Sequence, residues 1–212
     1  ILQMSLSVQA LPSSHGPPSL TPVQPPPPQD TLGQRHKLRV RAGGHSTCVI
    51  LEDRTVRCWG ENEFGQLGTG AGPDRGASPS DMGSALLALD LGENALDVRL
   101  GLNFACALLE SGTVKCWGAK GSGELGLGLN NEDVRQVETP TDAVDLGTDR
   151  TATALSLGTG HACAILDDGV VKCWGLNASG QLGIGNLSGF IGTNAAQMGD
   201  ALAAVDLGND DA

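Results

Sequence analysis

The 212-residue chain contains no tyrosine, only 3% aromatic residues and few basic side chains. Thirteen Lys and Arg residues stand against 24 Asp and Glu residues, which gives a formal net charge of −11 at pH 7. A surface of this charge repels polyanions on average, so nucleic acid is not expected as a partner. No apolar run approaches the roughly 20 residues of a membrane-spanning helix, so no membrane span is expected in this segment.

Glycine, by contrast, is abundant, with 31 residues, while hydrophobic residues make up an ordinary 40% of the chain. Glycine adopts backbone angles that other residues avoid, so its frequency indicates tight turns and close backbone packing rather than long helices. Length and composition together favour an all-β fold of one or two domains.

Residues 1–36 differ in composition from the rest of the chain. The stretch LPSSHGPPSLTPVQPPPPQD (11–30) is rich in Pro, Ser and Gln and nearly uncharged. Such a segment cannot bury enough apolar surface to offset the entropy lost on ordering. We expect a disordered linker with polyproline-II character, and a docking motif of the PxxP type is the alternative.

Three copies of one phrase follow this linker. They are HSTCVILEDRTVRCWGENEFGQLGTG (45–70), NFACALLESGTVKCWGAKGSGELGLG (103–128) and HACAILDDGVVKCWGLNASGQLGIG (161–185). The second cysteine of each copy gives periods of 116 − 58 = 58 and 173 − 116 = 57 residues, and a phrase ending in DLG closes each unit. This pattern predicts three repeats, at 37–92, 93–147 and 148–208, with 209–212 beginning a further one.

Each repeat contains a hairpin between its two cysteines. In the third repeat, CAILDDGVVKC separates the cysteines by ten residues, so a symmetric hairpin turns at Asp167, Asp168 and Gly169. Three-residue loops of this kind end in a left-handed residue, a conformation that Gly adopts most easily. Gly112 takes this place in the second repeat, but Arg54 takes it in the first, which predicts a strained or altered turn there.

This register places Cys163 opposite Cys173 in a non-hydrogen-bonded pair, in which Cα atoms lie about 4.5 Å apart. It also leaves both faces of the hairpin largely apolar. A sheet that is covered on both faces and repeated at a fixed interval stacks against its own copies, as propeller blades do. Each repeat has room for four antiparallel strands, which in the third repeat are predicted at 153–157, 161–166, 170–174 and 203–207.

The third copy reads G-x-x-H-x-C-A-[IL]-L-x-x-G-x-V-K-C-W-G-x-N-x-x-G-Q-L-G from 158 to 183, and this pattern resembles the repeat of the regulator of chromosome condensation family. The resemblance covers about residues 37–208. It implies a β-propeller, usually of seven blades with four antiparallel strands each. Seven repeats would need about 400 residues, so the three repeats predict an incomplete propeller. The sequence therefore reads as a fragment whose remaining blades come from the full-length chain or from self-association.

The CWG and GQLG segments are the predicted core of each repeat. Their tryptophans recur in phase and are expected to be buried between blades. One basic side chain per repeat, at Arg57, Lys115 and Lys172, is expected to reach water at the sheet edge. The predicted core residues are Trp59, Gly60, Gly65, Leu67, Gly68, Trp117, Gly118, Gly123, Leu125, Gly126, Trp174, Gly175, Gly180, Leu182 and Gly183.

Two interpretations of the six cysteines remain open. In one, they are small buried fillers, since the resemblance suggests that intracellular family members often carry Ala, Ser or Thr at these positions. In the other, they form structural disulfides between Cys48 and Cys58, Cys106 and Cys116, and Cys163 and Cys173. Each bond would close a short loop, worth roughly 3 kcal/mol. Oxidised pairs favour an extracellular or periplasmic location and free thiols a cytoplasmic one. No metal site is predicted, because no further ligand recurs at a suitable spacing.

No catalytic triad, paired carboxylates, phosphate loop or cofactor motif stands out, so neither an enzyme nor a cofactor is predicted. The repeats differ most in the connections at 69–83, 127–142 and 184–200, and variable loops on a rigid scaffold usually carry binding. We therefore predict a non-enzymatic scaffold that binds a protein or glycan through these loops. The resemblance implies one alternative, a guanine-nucleotide exchange factor for a Ras-like small GTPase, which is the activity of the founding family member on Ran.

The facing cysteines give a prediction about mass. If all three pairs are oxidised, the native protein is lighter than the reduced protein by the mass of six hydrogen atoms and resists alkylation. Intact-mass spectrometry with and without reductant measures this difference. Alkylation of all six cysteines in the native protein would contradict the disulfide interpretation.

Overall fold

A computed structural model describes residues 38–70, 72–129 and 136–208. The predicted linker at 1–36 and the beginning of a further repeat at 209–212 lie outside this part of the chain. Within it, regular structure consists of eleven β-strands and four single-turn 3-10 helices. No helix in the described ranges is long and apolar enough to cross a membrane.

The strands form three antiparallel sheets, one for each repeat. The first sheet contains β1 (Arg39–Gly43), β2 (Ser46–Ile50) and β3 (Val56–Gly60). The second contains β4 (Ala95–Leu100), β5 (Phe104–Leu109), β6 (Val114–Ala119) and β7 (Gln136–Val137). The third contains β8 (Ala152–Leu157), β9 (His161–Leu166), β10 (Val171–Leu176) and β11 (Phe190–Ile191). The 3-10 helices occupy Pro79–Asp81, Gly83–Ala85, Ala195–Gln197 and Gly199–Ala201.

The predicted hairpin register is confirmed. Cys163 pairs with Cys173 across β9 and β10, and the other two cysteine pairs face each other in the same way. The turn residue has a left-handed backbone in all three repeats, with φ of 84° at Gly169, 81° at Gly112 and 64° at Arg54. At Arg54 this angle is unfavourable for a residue with a side chain, and the guanidinium forms an ion pair with Glu110 in the hairpin turn of the second repeat.

The fourth strand predicted at 203–207 is wrong. The outer edge of β10 is instead divided between two short segments: β11 pairs with its end at Gly175 and Leu176, and Ala204 forms an isolated bridge with Lys172. Two consecutive 3-10 turns separate these segments. Because each segment covers only part of the edge, neither extends into a full strand. In the first sheet the corresponding contacts are single bridges, so that sheet has three strands.

The sheets stack face to face, and the hydrophobic core lies between them. One buried cluster joins the first and second sheets, and includes Cys48, Cys58, Val98 and Trp117. A second cluster joins the second and third sheets in the same way. Strand β5 lies between the two clusters, and all six of its residues, Phe104–Leu109, are buried. The apolar faces predicted from the sequence are therefore the surfaces along which the repeats pack.

A tryptophan of the second and of the third sheet forms a hydrogen bond to the preceding repeat. Trp117 and Trp174 are fully buried, and each indole Nε1 donates a 3.0 Å hydrogen bond to a backbone carbonyl in the preceding repeat, that of Gln66 or Glu124. Trp59 is only half-buried, because no described sheet stacks on its side of β3. The predicted burial between blades thus holds for the two tryptophans that have a preceding sheet.

This difference predicts unequal costs of truncation. We expect Trp174→Ala to lower the free energy of unfolding by about 3–5 kcal/mol, since it opens a cavity and leaves the Glu124 carbonyl without its donor. Trp59→Ala is the matched control and should cost clearly less. Urea denaturation of both variants measures the two values. Equal losses would contradict the assignment of tryptophan to the joints between sheets.

Candidate interaction surface

The three variable connections lie beside the GQLG-type turns. The amide of Gly70, which comes just after the first turn, donates to the carbonyl of Glu138 in the second connection at 3.1 Å. The amide of Gly128 donates to Gly192 of the third connection, also at 3.1 Å. Each turn is thus joined to the connection of the next repeat, and together they form one edge of the stack. Residues 130–135 of the second connection lie outside the described ranges.

A buried asparagine holds the connection of its own repeat. Asn177 is fully buried, its Oδ1 accepts from the amide of Leu182 at 3.1 Å, and its Nδ2 donates to the carbonyl of Asn186 at 2.9 Å. Asn62 makes the equivalent bond to the amide of Leu67. The sequence marks Asn177 as part of the repeat pattern and of an N-x-S glycosylation sequon, but it does not reveal this structural role, because the partners of Asn177 become apparent only when the connection folds back.

Bonds of this kind fix the backbone of the connections and leave several side chains exposed. On the third connection Leu187 is 69% exposed and Phe190, on edge strand β11, is 45% exposed. Leu129 on the second connection is 40% exposed. The first connection is more polar: Ser78 and Asp81 form a capping box there. The edge therefore offers exposed apolar groups toward its third-repeat end, and such groups are typical of protein-binding surfaces.

The side chain at the second position of GQLG supports the turn. The Oε1 atoms of Gln66 and Gln181 accept from the amides of Phe64 and Ser179 at 2.9 and 2.8 Å. Glu124 takes this position in the second repeat and accepts from Ser122. Burial raises the pKa of the Glu124 carboxyl, because the charged form is poorly solvated there.

Of the three basic residues expected to reach water, Lys172 does not, whereas Arg57 and Lys115 are half-buried. Lys172 is buried, and its Nζ donates to the carbonyls of Leu146 and Gly199, both at 2.9 Å. Lys115 donates to Leu91 at 3.0 Å. A buried ammonium needs such acceptors, and the carbonyls that supply them belong to segments that the sequence alone does not place beside it.

The cysteines lie inside the sheets, away from the connections. Their Sγ atoms are 2.04, 2.10 and 2.15 Å apart, which joins each facing pair as a disulfide, with 4.1 Å between the Cα atoms of each pair. The first two pairs are at most 2% exposed. Their position in the packed faces is structural, and within the described ranges no group of three or more His, Cys, Asp or Glu could hold a metal ion.

The acidic side chains in the hairpin turn of the third repeat interact with residues close to them. Arg150 Nη1 lies 3.5 Å from Asp167 and 3.1 Å from Asp168, and the two carboxylates accept from the amides of Thr151 and Val170. Hydrogen bonding to Thr151 is the main cause that lowers the pKa of Asp167. His161, on β9, has a pKa lowered by burial. These groups stabilise their own loops and are not gathered around a cleft.

Repeated antiparallel sheets, stacked through tryptophan joints and bordered by variable connections, define part of a β-propeller. The family model for the regulator of chromosome condensation (RCC1) repeat matches residues 39–66, 96–124 and 152–181. The chain therefore carries three repeats of this family, and the resemblance found in its CWG and GQLG segments is confirmed.

Curated relatives share this repeat region. E3 ubiquitin-protein ligase HERC2 of Homo sapiens is 32% identical over 164 residues, which cover 77% of this chain and 3% of HERC2. Ultraviolet-B receptor UVR8 of Arabidopsis thaliana is 35% identical over 157 residues, which cover 74% of this chain and 33% of UVR8. The chain thus spans a third or less of the length of these relatives.

Solved structures agree on the fold. Prp20p of Saccharomyces cerevisiae, studied with its binding to Gsp1p and histones, superposes with a TM-score of 0.61 at 17% identity, over 81% of this chain and 39% of Prp20p. Human WBSCR16 gives a TM-score of 0.58 at 20% identity, over 80% of this chain and 39% of its own. At these identities the likeness establishes the β-propeller fold.

The environment of Glu124 gives a prediction about pH. Because the folded pKa is raised, the folded protein holds this proton more tightly than the unfolded chain, and the free energy of unfolding falls as pH rises through that range. Glutamine keeps the acceptor for Ser122 without a charge. We expect Glu124→Gln to be more stable than the parent at pH 7, with the difference vanishing below about pH 4. Thermal unfolding across this range measures it, and a difference that is constant with pH would refute the assignment.

Proposed function

We propose that this chain is a non-enzymatic interaction scaffold that binds a protein partner through the edge formed by its turns and connections, with a glycan as the less favoured ligand. The observation that carries the proposal is the pair of exposed apolar side chains, Leu187 and Phe190, on a connection whose backbone is fixed. A fixed backbone reduces the entropy lost on binding, and exposed apolar groups supply the contact.

Two further observations support this role. The hydrogen bonds that tether the third connection involve backbone atoms and the side chains of Asn177, Asn194 and Gln197, so the apolar side chains of Leu187 and Phe190 take no part in them. The structural neighbour Prp20p binds the proteins Gsp1p and histones, which shows that a propeller of this fold can serve as a protein-binding surface. Given its charge of −11, the surface favours a partner with basic groups around an apolar centre.

The proposal includes the location. If the three cysteine pairs are oxidised in the organism, the scaffold works outside the cytoplasm, where disulfides persist. The exchange-factor alternative would place the protein beside an intracellular small GTPase. Compartment and activity are thus linked, and the redox state of the cysteines in freshly isolated protein bears on both.

A capture experiment tests the binding surface. Immobilised parent protein is compared with the double variant Leu187→Ser/Phe190→Ser, and with Leu102→Ser, which changes a leucine that is 43% exposed outside the connections. We expect the parent to capture specific proteins, or glycans on an array. Their recovery should fall about tenfold or more with the double variant and stay unchanged with Leu102→Ser. A loss of this size is typical of one or two binding hot spots. Quantitative mass spectrometry measures recovery.

Two results would overturn the proposal. One is a set of captured ligands that the double variant retains in full. The other is stimulated release of labelled guanine nucleotide from a Ras-like small GTPase by the parent protein, which would establish the exchange factor instead.

A further inference from the structure

The sequence contains two N-x-S sequons, and both lie in the third repeat. They are NAS at residues 177–179 and NLS at residues 186–188. An N-x-S triplet without proline in the middle is the pattern of an N-glycan acceptor, in which the side-chain nitrogen of asparagine, Nδ2, receives the sugar. The pattern alone does not distinguish the two asparagines, but their surroundings in the structure do.

Asn177 has no room for a glycan in the folded protein. It is 0% exposed, and its Nδ2 donates to the carbonyl of Asn186 at 2.9 Å. Its Oδ1 accepts from the amide of Leu182 at 3.1 Å. A sugar ring on this Nδ2 would have to occupy space that the turn and the third connection already fill. A chain that carried a glycan at Asn177 could therefore not reach this fold.

Asn186 has the opposite environment. It lies on the third connection, in a run of exposed residues from 185 to 190. Its Oδ1 accepts from the amide of Ser188 at 2.9 Å, which forms an Asx turn within the sequon itself. No residue in the described ranges accepts a hydrogen bond from its Nδ2. The atom that would be modified thus belongs to an exposed side chain and is not engaged in the fold.

The backbone around Asn186 is held without the help of its side-chain nitrogen. The Asn186 carbonyl accepts from Asn177 Nδ2, and the carbonyl of Gly189 accepts from the Asn177 amide at 3.0 Å. The same buried asparagine therefore holds the connection on both sides of Ser188. A substituent on Asn186 Nδ2 leaves all of these bonds intact, so the folded connection can present a modified residue.

We propose that Asn186 is an N-glycan acceptor and that Asn177 is not. The donor is an oligosaccharide joined to a lipid carrier through pyrophosphate, the substrate class of oligosaccharyltransferases. Nδ2 bonds to the anomeric carbon of the first sugar, and the bond from that carbon to the pyrophosphate oxygen breaks. The lipid pyrophosphate leaves, and one amide proton passes to a base of the transferase. The inference rests on the proposed location outside the cytoplasm, because only a chain that enters a secretory route meets this donor.

The modified residue would border the proposed binding surface. Asn186 directly precedes Leu187, and Phe190 follows four residues later. A glycan is bulky and strongly hydrated, so it would limit the access of a partner to these apolar side chains. Binding through this edge is therefore expected of the unmodified protein, and the capture experiment above is carried out on protein without the glycan.

Expression through a eukaryotic secretory route tests the acceptor. The full 212-residue chain is placed behind a cleavable secretion signal, and the intact mass of the secreted protein is measured before and after treatment with peptide-N-glycosidase. We expect a gain in mass of one N-glycan per chain, which the glycosidase removes completely. Peptide mapping should then find an aspartate, the product of the glycosidase, in place of Asn186.

Three variants assign the site. Asn186→Gln removes the acceptor, Ser188→Ala removes only the hydroxyl of its sequon, and both should abolish the gain in mass. Ser179→Ala is the matched control, because it destroys the other sequon, retains the structural Asn177 and should leave the gain unchanged. Both serines are exposed and bond through backbone amides that alanine keeps. Circular dichroism checks that the sheets of each variant are intact.

Three outcomes would overturn the proposal. A parent protein that leaves the secretory route without a glycan shows that Asn186 is not an acceptor. A gain in mass that persists in Asn186→Gln places the glycan elsewhere. Folded, disulfide-bonded protein with a glycan on Asn177 shows that burial does not separate the two sequons. Failure of the proposed location is a different result, namely free cysteines in protein freshly isolated from its own source, because the experiment itself supplies the secretory route.

Discussion

The fold depends on one recurring contact, the hydrogen bond from a buried tryptophan to a backbone carbonyl in the preceding repeat. At the joint between the second and third sheets, Trp174 Nε1 lies 3.0 Å from the Glu124 carbonyl. Burying an indole without an acceptor is costly, so the bond restricts how the two sheets can be placed. It also requires a glycine, since a side chain at Gly126 would collide with the indole. The joint links the CWG segment of one repeat to the GQLG-type turn of the preceding repeat, 50 or 51 residues earlier in the chain.

The chain has few aromatic residues, and the cysteines are among the smaller side chains that fill the layers between its sheets. With few large side chains, the layers between sheets are filled by Ala, Val, Leu and Cys, which let the sheets approach closely. A disulfide between facing positions of a hairpin occupies little volume and ties together the two strands that carry each face. The pairs at Cys48–Cys58 and Cys106–Cys116 are at most 2% exposed, so they belong to the packed layer itself. The disulfides thus join the two central strands of each sheet at the same pair of positions in every repeat.

Periodicity in the sequence was enough to predict the hairpins. Strand alternation and the ten-residue spacing determined the hairpin register, and the turn position identified the left-handed Arg54. The prediction of a fourth strand at 203–207 was wrong because the outer edge of β10 is shared between β11 and the bridge at Ala204. No local propensity encodes this division. The acceptors of Lys172 were missed for a related reason: they belong to segments more than twenty residues away, which come together only in the stack.

The separation between faces and edge explains how one scaffold can carry different binding surfaces. At the edge, Gly128 contacts Gly192 through backbone atoms alone, so the side chains of the connection contribute nothing to that bond. Leu187 and Phe190 can therefore be replaced without removing a hydrogen bond between repeats. Because the joints and the edge use different atoms, the stability of the stack and the recognition of a partner can be changed independently.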